Sequence, residues 1–586
     1  MGNLLDCSTS ESQSVPEEVV ASKPQQNENQ GTILVEDFKP LLQSSIWKLQ
    51  RDYYKSLSND KAVAKCSAFT ASSNCYVARE YASVILSYVR DWFSNPQRTS
   101  NEPIYVIDVG AGFGKLGFLI MYHLFEMKAL WPPTENPPFI YVLTDFSDAM
   151  ASYWERDPLI TQFVQMGYMD YGVMDIESDT ELRLRRANVT LTEDCLQAPP
   201  FFVCSFLFSS LPQDAVRMED GTLKPALVSL LRPFPEPIDG DAHYSFAWRY
   251  DASLSTDWPS ELVSLLRSRA ESGVRAVYVL PVVALRLLRL ARGWSEGRCA
   301  FLVADEGVFE AAEMNVATDP GFLTREVTHL PLNFALLREI VETAGGFVCC
   351  SRVHESFRTA LLVFGQSATS LPRTRLAYRN ALEDLTPESF FALQRGLREE
   401  ATLSLRAVLC LLRLSSFDPD LLLRCRQRLL ALCDGDALPG PLRKDLHTDL
   451  VRVRDHVLFM DSERDVCFEL ARIHMGLNEY AVALELFQDS NNYVSEHHVT
   501  WHNMGVCCFY LQQYEKAIYC FQKALELNPS YQESQIWLQK LRDGDYEGAM
   551  LLAQSRRRPK EMVETPPENS ETLTTDATSK ECTTTV

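Results

Sequence analysis

Apolar positions cluster in short runs separated by helical stretches over residues 104–365, and that alternation predicts the architecture. Tyr105 to Val109 is an apolar, β-branched run with Asp108 near its end, as expected of a buried parallel strand. Three glycines follow, Gly110, Gly112 and Gly114, and Leu116 to Phe125 resumes with helical periodicity. Phe139 to Thr144 repeats the strand pattern and stops at Asp145; Ala149 to Phe163 reads as one helix, and Tyr171 to Ile176 as a third strand carrying Asp175. Phe201 to Leu207 is continuously apolar, the signature of a strand covered on both faces. Ala276 to Pro281, Ala300 to Ala304, Phe347 to Cys350 and Ala360 to Phe364 supply further strands, the last two an antiparallel finish. Upstream, Tyr76 to Phe93 is an amphipathic helix with Ser73 and Asn74 placed to cap it. The pattern predicts a Rossmann-like, doubly wound α/β sheet. Ligands of such sheets sit at the carboxyl ends of the strands, where Asp108, Asp145, Asp175 and Ser205 fall.

Beyond residue 375 the pattern turns helical and Leu-rich, with Thr386-Pro387 as a helix start. Trp501, Met504, Gly505, Ala517, Phe521, Ala524 and Pro529 fit a tetratricopeptide (TPR) repeat, and Leu470, Ala471, Ala483 and Phe487 stand 34 residues before Met504, Gly505, Ala517 and Phe521. Small residues at these positions let paired helices approach closely. The expected domains are a disordered tail over 1–37, an α/β domain over 38–365 and a linker over 366–375. A helical region follows over 376–460, read as degenerate repeats, then TPR repeats with a capping helix over 461–545. A disordered tail is expected over 555–586.

Composition narrows the functions. The chain has 586 residues, and its net charge of −22 argues against general nucleic-acid binding, because phosphate partners want a basic surface. Its 16 cysteines include no CxxC pair and read as reduced core thiols of a cytoplasmic protein. No secretory signal and no transmembrane segment is expected; Arg286 and Arg289 interrupt the longest apolar stretch. Gly2 and Cys7 are weak lipidation candidates, since Asp6 stands where Ser or Thr is wanted. His498 and His502 lie four apart, but with no third ligand they read as a surface pair, so no metal site is expected. Thr584-Thr585-Val586 matches the carboxyl-terminal pattern bound by PDZ domains.

A strand, a glycine loop and a helix in that order present backbone N–H groups and a helix N-terminus to a nucleotide. Gly112, Gly114 and Gly117 fit the dinucleotide fingerprint GxGxxG, whereas Asp108-Val-Gly110-Ala-Gly112-Phe-Gly114 fits the first motif of S-adenosylmethionine (SAM) methyltransferases. Asp145 favours SAM, because it lies farther from the glycines than the NAD-type spacing of about 20 residues. NAD stays open, as does a fold that binds nothing.

Residues 105–365 resemble the MidA-like class of SAM-dependent methyltransferases. The resemblance rests on DVGAGFGKLG at 108–117, TDFS at 144–147, SFLFSSLPQDA at 205–215 and Glu219-Asp220-Gly221-Thr222-Leu223. It looks closer still to relatives that carry TPR repeats behind the methyltransferase domain. It implies SAM as cofactor, held by Asp108, Gly110, Gly112, Gly114, Asp145, Asp175 and Ser205, and methylation of a protein substrate, arginine by family, with the TPR groove recruiting a protein partner. The family's fourth strand usually runs into Asn and Asp where this chain has Ser205 and Ser209, with Phe208, Leu211 and Pro212 matching. A serine hydroxyl is a poor base near neutral pH, so no catalytic residue is assigned; Asp214 and Glu219 are the nearest carboxylates in the sequence. The alternative is a catalytically impaired methyltransferase fold serving as a TPR scaffold.

Overall fold

The computed structural model describes residues 31–56, 73–98, 100–234, 244–308, 318–324, 328–351, 357–383, 386, 387, 390, 392, 403–433, 438–458 and 465–555. Two compact units divide the chain, residues 1–421 and 422–586.

The first unit begins with β1 (Gly31–Pro40), α1 (Ser45–Ser56) and α2 (Cys75–Ser94). The alternating core follows: β2 (Ile104–Val109), α3 (Lys115–Glu126), β3 (Phe139–Asp145), α4 (Asp148–Trp154), α5 (Pro158–Met166), β4 (Met169–Val173) and β5 (Phe201–Ser205). Next come β6 (Asp214–Glu219), β7 (Thr222–Phe234), β8 (Ser245–Tyr250), α6 (Ser260–Glu271), β9 (Ala276–Leu280) and α7 (Val282–Trp294). β10 (Cys299–Val308), α8 (Phe334–Thr343), β11 (Phe347–Cys350), β12 (Phe357–Phe364) and α9 (Pro372–Tyr378) complete the series.

The main sheet runs β11-β12-β10-β5-β2-β3-β4. β4, β3, β2, β5 and β10 are parallel neighbours, and β12 is antiparallel to both β10 and β11. Apolar side chains of β2, β3, β5 and β10 are buried on both faces, as their unbroken hydrophobic runs require. Phe202 stacks on Phe301 across the β5–β10 pair, with ring centroids 4.5 Å apart. The chain reverses direction of growth at β2, so the crevice above its carboxyl end is the topological switch point.

Several boundaries depart from the expected ones. Ala276–Leu280 does not join the main sheet; as β9 it belongs to a second, antiparallel sheet ordered β1-β7-β6-β9, with β8 also on β7. The folded part begins before residue 38: β1 pairs with β7 inside the segment expected to be disordered. Residues 366–375 are not a linker. Asp91 of α2 is buried and accepts from the Thr374 N–H and hydroxyl at 2.9 and 2.8 Å, and from Arg373 at 3.1 Å, so its carboxylate pins the start of α9. Residues 149–163 form two helices because Asp157, its side chain capping Leu159 and Ile160, starts a new helix at Pro158.

Helices α10 (Leu405–Leu414) and α11 (Pro419–Leu432) precede the second unit's α12 (Gly440–Asp455), α13 (Val466–Gly476), α14 (Tyr480–Tyr493), α15 (His498–Tyr510), α16 (Tyr514–Leu527), α17 (Gln532–Arg542) and α18 (Tyr546–Ser555). The helical run passes residue 545 by one helix. Ala471, Ala483, Phe487, Ala517, Phe521 and Ala524 are fully buried where successive helices cross. His502 is not on the surface: it is buried and bonded to Ser534 at 2.9 Å. Residues 1–30 with Gly2 and Cys7, and the carboxyl-terminal Thr584-Thr585-Val586, lie outside the described residues.

Candidate functional site

Gly110, Gly112 and Gly114 all adopt positive φ, +72°, +54° and +81°, a turn that side-chain-bearing residues resist. The loop is held from three sides. Ala111 N–H donates to the Thr144 carbonyl at 2.8 Å, Trp154 Nε1–H to the Gly112 carbonyl at 3.0 Å, and Gly112 N–H to Asp145 Oδ2 at 3.2 Å. Gly114 begins α3 without a side-chain cap, leaving the helix N-terminus to face whatever occupies the crevice. The four glycines have different tasks. A Cβ on Gly117 would lie 2.6 Å from Leu143, so that residue exists to seat α3 on the sheet, whereas a Cβ on Gly112 would meet no atom within 4 Å.

Asp145 closes β3 beside this loop. Its Oδ1 accepts from Ser147 N–H at 2.9 Å, and burial pushes the carboxyl up to about 6, with the Ser147 and Gly112 N–H groups pulling the other way. The structure therefore brings Asp145 and the glycine loop into one crevice wall. Asp108 sits lower. Its carboxyl is buried under α3, accepts from the Tyr141 hydroxyl at 3.0 Å, and is pushed up to about 7 by burial despite that bond. It supports the floor more than it lines the mouth. Ser205 ends β5 with its Oγ buried beside the Tyr81 hydroxyl, without a hydrogen bond of ordinary geometry.

Asp175, expected among the residues holding the cofactor, is engaged by a residue that the sequence does not single out. Arg51 of α1 forms a two-nitrogen ion pair with the Asp175 carboxylate, also pairs with Glu177, and lies 4.7 Å over the Phe146 ring. Burial raises the Asp175 carboxyl, but the Arg51 hydrogen bonds and charge, with the Glu177 N–H and the Ser178 hydroxyl, together hold the group below the ordinary range. A further α1 side chain, Tyr54, reaches Ser210 with its hydroxyl 3.1 Å from Oγ.

The carboxylates suggested by sequence for proton transfer lie elsewhere. Asp214 is buried against Trp258 Nε1 at 2.7 Å, and Glu219 is an outward group bonded to Lys224. The buried acid beside the β5 turn is instead Asp305, near the end of β10, which accepts from Ser209 N–H at 2.9 Å and has Ser209 Oγ beside it. Burial pushes Asp305 up to about 6, while Ser209 and His329 work against that shift. Next to it Glu306 Oε2 meets His329 Nε2 at 3.0 Å. In the sequence, Asp305-Glu306 simply follow the apolar run Ala300 to Ala304. The signal available was position: these carboxylates end a strand two places from β2 in the sheet.

The strand order, with an antiparallel strand inserted next to β10, and a glycine loop at the switch point define a class I methyltransferase-like Rossmann fold. A tetratricopeptide repeat family model matches residues 498–531, covering α15 and α16. No curated protein matches the sequence. Among solved structures, the chain is similar to a COG1565 superfamily member from Burkholderia thailandensis bound to S-adenosyl-homocysteine, at 13% identity over 53% of this chain and 73% of that one, with a TM-score of 0.33. A second COG1565 superfamily protein from the same organism matches at 12% identity over 57% and 90%, TM-score 0.34, and the plantazolicin methyltransferase BpumL in complex with SAH at 8% over 54% and 100%, TM-score 0.23. At these scores the likenesses carry no argument about chemistry, which rests on the residues. Among the described residues no helix is long and apolar enough to cross a membrane.

Proposed function

We propose that the α/β unit binds SAM and transfers its methyl group to a protein, and that the TPR helices recruit the substrate or a partner. The observation that carries the reading is the open space over Gly112, walled by the Asp145 carboxylate that already accepts from the Gly112 N–H. Gly110, Gly112 and Gly114 would admit the amino-acid end, Asp145 would accept from the ribose hydroxyls, Ser205 and Asp108 would back the crevice, and Asp175 would serve the adenine once Arg51 yields. The cofactor supplies an electrophilic methyl on a sulfonium sulfur when bound. The chain's own part is to align the acceptor and take its proton. Asp305, whose carboxyl burial pushes up toward the range of a general base, would be the acceptor of that proton, backed by the Glu306–His329 pair. Arginine as acceptor is the family expectation. A reducing, cytoplasmic setting fits core thiols such as Cys204, Cys299 and Cys507, which are fully buried. The carboxyl-terminal Thr-Thr-Val would add a PDZ-domain partner.

Isothermal titration of the full chain with S-adenosyl-homocysteine tests the cofactor reading, with NAD as the competing nucleotide; no heat with the first and binding of the second overturns it. A second reading, a scaffold without turnover, is favoured by Ser205 and Ser209 in place of Asn and Asp. Radiolabelled methyl transfer to extract proteins, lost in Asp305→Asn with cofactor binding intact, would exclude it.

A further inference from the structure

We propose that the second unit carries a divalent transition-metal site, of the kind that takes Zn²⁺, built from His447, His474 and Glu479. The three residues come from three successive elements: His447 from α12, His474 from α13, and Glu479 from the residue that opens α14. Their ligand atoms all lie within 4.8 Å of one another. One carboxylate oxygen, Glu479 Oε2, stands 2.9 Å from His447 Nδ1 and 2.6 Å from His474 Nδ1. The two imidazole rings are 5.7 Å apart and nearly perpendicular, at 81°, so their nitrogens converge on the carboxylate rather than stack past it.

The surrounding chain fixes this arrangement independently of the three donor side chains. Asn478 has a φ of +62°, which turns the chain sharply between α13 and α14. Glu479 N–H then donates to the His474 carbonyl at 2.9 Å, setting the spacing of two of the three donors. Arg443, one turn before His447 on α12, donates to the Leu477 carbonyl and ties the third helix to the same turn. A cluster held by its scaffold loses little entropy on taking up an ion.

Two imidazole nitrogens and one carboxylate oxygen are a donor set for Zn²⁺ and its neighbours, and poor for Mg²⁺ or Ca²⁺, which want oxygen alone. Bonds of about 2.0–2.1 Å in a tetrahedron separate ligand atoms by roughly 3.3 Å, so the Glu479 contacts to His447 and His474 need to open by only about 0.4 and 0.7 Å. The His474 side chain is 2% exposed, Glu479 18% and His447 40%. The site is therefore closed on the α13 side and open at His447, giving an ion a way in and a fourth position for water or a partner's side chain. Its effect would be to cross-link three consecutive helices of the repeat unit.

The test uses the purified full chain, stripped with chelator and titrated with ZnCl₂ against a competing metal indicator, beside His447→Ala. The substitution is at the most exposed of the three, where folding is least at stake; Glu479→Gln, which keeps the shape of the carboxylate, is the second variant. The expected result is one more bound Zn²⁺ in the wild type than in either variant, and a rise in the helical unit's melting midpoint on adding Zn²⁺ that both variants lose. Co²⁺ in place of Zn²⁺ should give tetrahedral visible bands without a sulfur charge-transfer band, setting this site apart from any cysteine-bound ion. Equal stoichiometry in wild type and variants overturns the proposal. So does a wild type whose melting is indifferent to Zn²⁺ while His447→Ala melts lower without metal, which would leave an ion pair only.

Discussion

Gly112, in the loop before α3, and Gly505, inside α15 of the helical unit, are both small residues at a helix, yet the space around them is opposite. Where a Cβ on Gly505 would sit, the Phe521 ring is 2.7 to 2.9 Å away, and Phe521 in turn stacks on Trp537. The protein itself fills that space, and the glycine is accounted for by helix packing. At Gly112 nothing stands within 4 Å, and the residue is held in a positive-φ turn by Asp145 and Trp154. Helix packing does not account for Gly112, and under the proposed function the cofactor does. The two glycines thus stand for one unit whose small residues are filled by its own side chains and one whose glycine loop leaves room beside Asp145.

Substituting each glycine breaks the comparison most directly. Gly505→Leu should be the largest effect, overpacking the α15–α16 crossing by about 3 kcal/mol and abolishing a cooperative melt of the helical unit followed by circular dichroism. S-adenosyl-homocysteine binding by the same variant should be unchanged. Gly112→Ala should behave inversely. Its positive φ costs a side-chain-bearing residue about 1–2 kcal/mol, read as a modest fall in urea midpoint, while cofactor affinity in titration falls at least about tenfold because the methyl enters the ligand's space. A Gly112→Ala protein that binds normally would return Gly112 to the class of Gly505.

Asp145 sharpens the contrast through pH. Burial raises its folded pKa to about 6, above the ordinary carboxylate value, so ionisation weakens the empty fold: the contribution to stability is full below the unfolded value and is lost as pH rises through 6. Ribose hydroxyls need the ionised form as acceptor, so cofactor affinity should move the other way, dropping about tenfold from pH 7.5 to pH 5. Asp145→Asn should remove that pH dependence and bind weakly at both, with a melting point at pH 7.5 no lower than the wild type's. A stability loss parallel to the affinity loss would mean that Asp145 merely holds the loop.

What was legible in the sequence was local. Asp108, the glycines and Asp145 are joined by two adjacent parallel strands, so hydrophobic runs and loop glycines sufficed to bring them together. Arg51 and Asp305 were not legible, because distant pairings deliver them. Glu36 of β1 accepts through its carbonyl from Ser229, 193 residues later, and through its carboxylate from Ser44 and Ser45, so a polar stretch that reads as a tail becomes a strand that starts α1. Ile33, Leu34 and Val35 form a short apolar run, yet they stay exposed, and what makes the segment a strand is its pairing with the distant β7. Asp305 reaches the β5 turn only because the second sheet, β6 to β9, is inserted between two strands that end up adjacent. The 34-residue period worked in the helical unit for the opposite reason: each repeat touches mainly its neighbours.

Arg51 offers the finest test, since it places a protein group against residues the cofactor would want. Its guanidinium is about a quarter exposed and pairs with Asp175 and Glu177 over the Phe146 ring. A partly exposed ion pair of this kind contributes at most about 1 kcal/mol, because solvent screens it and two side chains are immobilised. Arg51→Ala should therefore lower the melting point little and should raise S-adenosyl-homocysteine affinity by about threefold to fivefold, the competing group being gone. High salt should do the same to the wild type and nothing to the variant. If removing Arg51 instead weakens binding, the guanidinium cradles the cofactor rather than competing with it, and α1 belongs to the binding wall with Asp145.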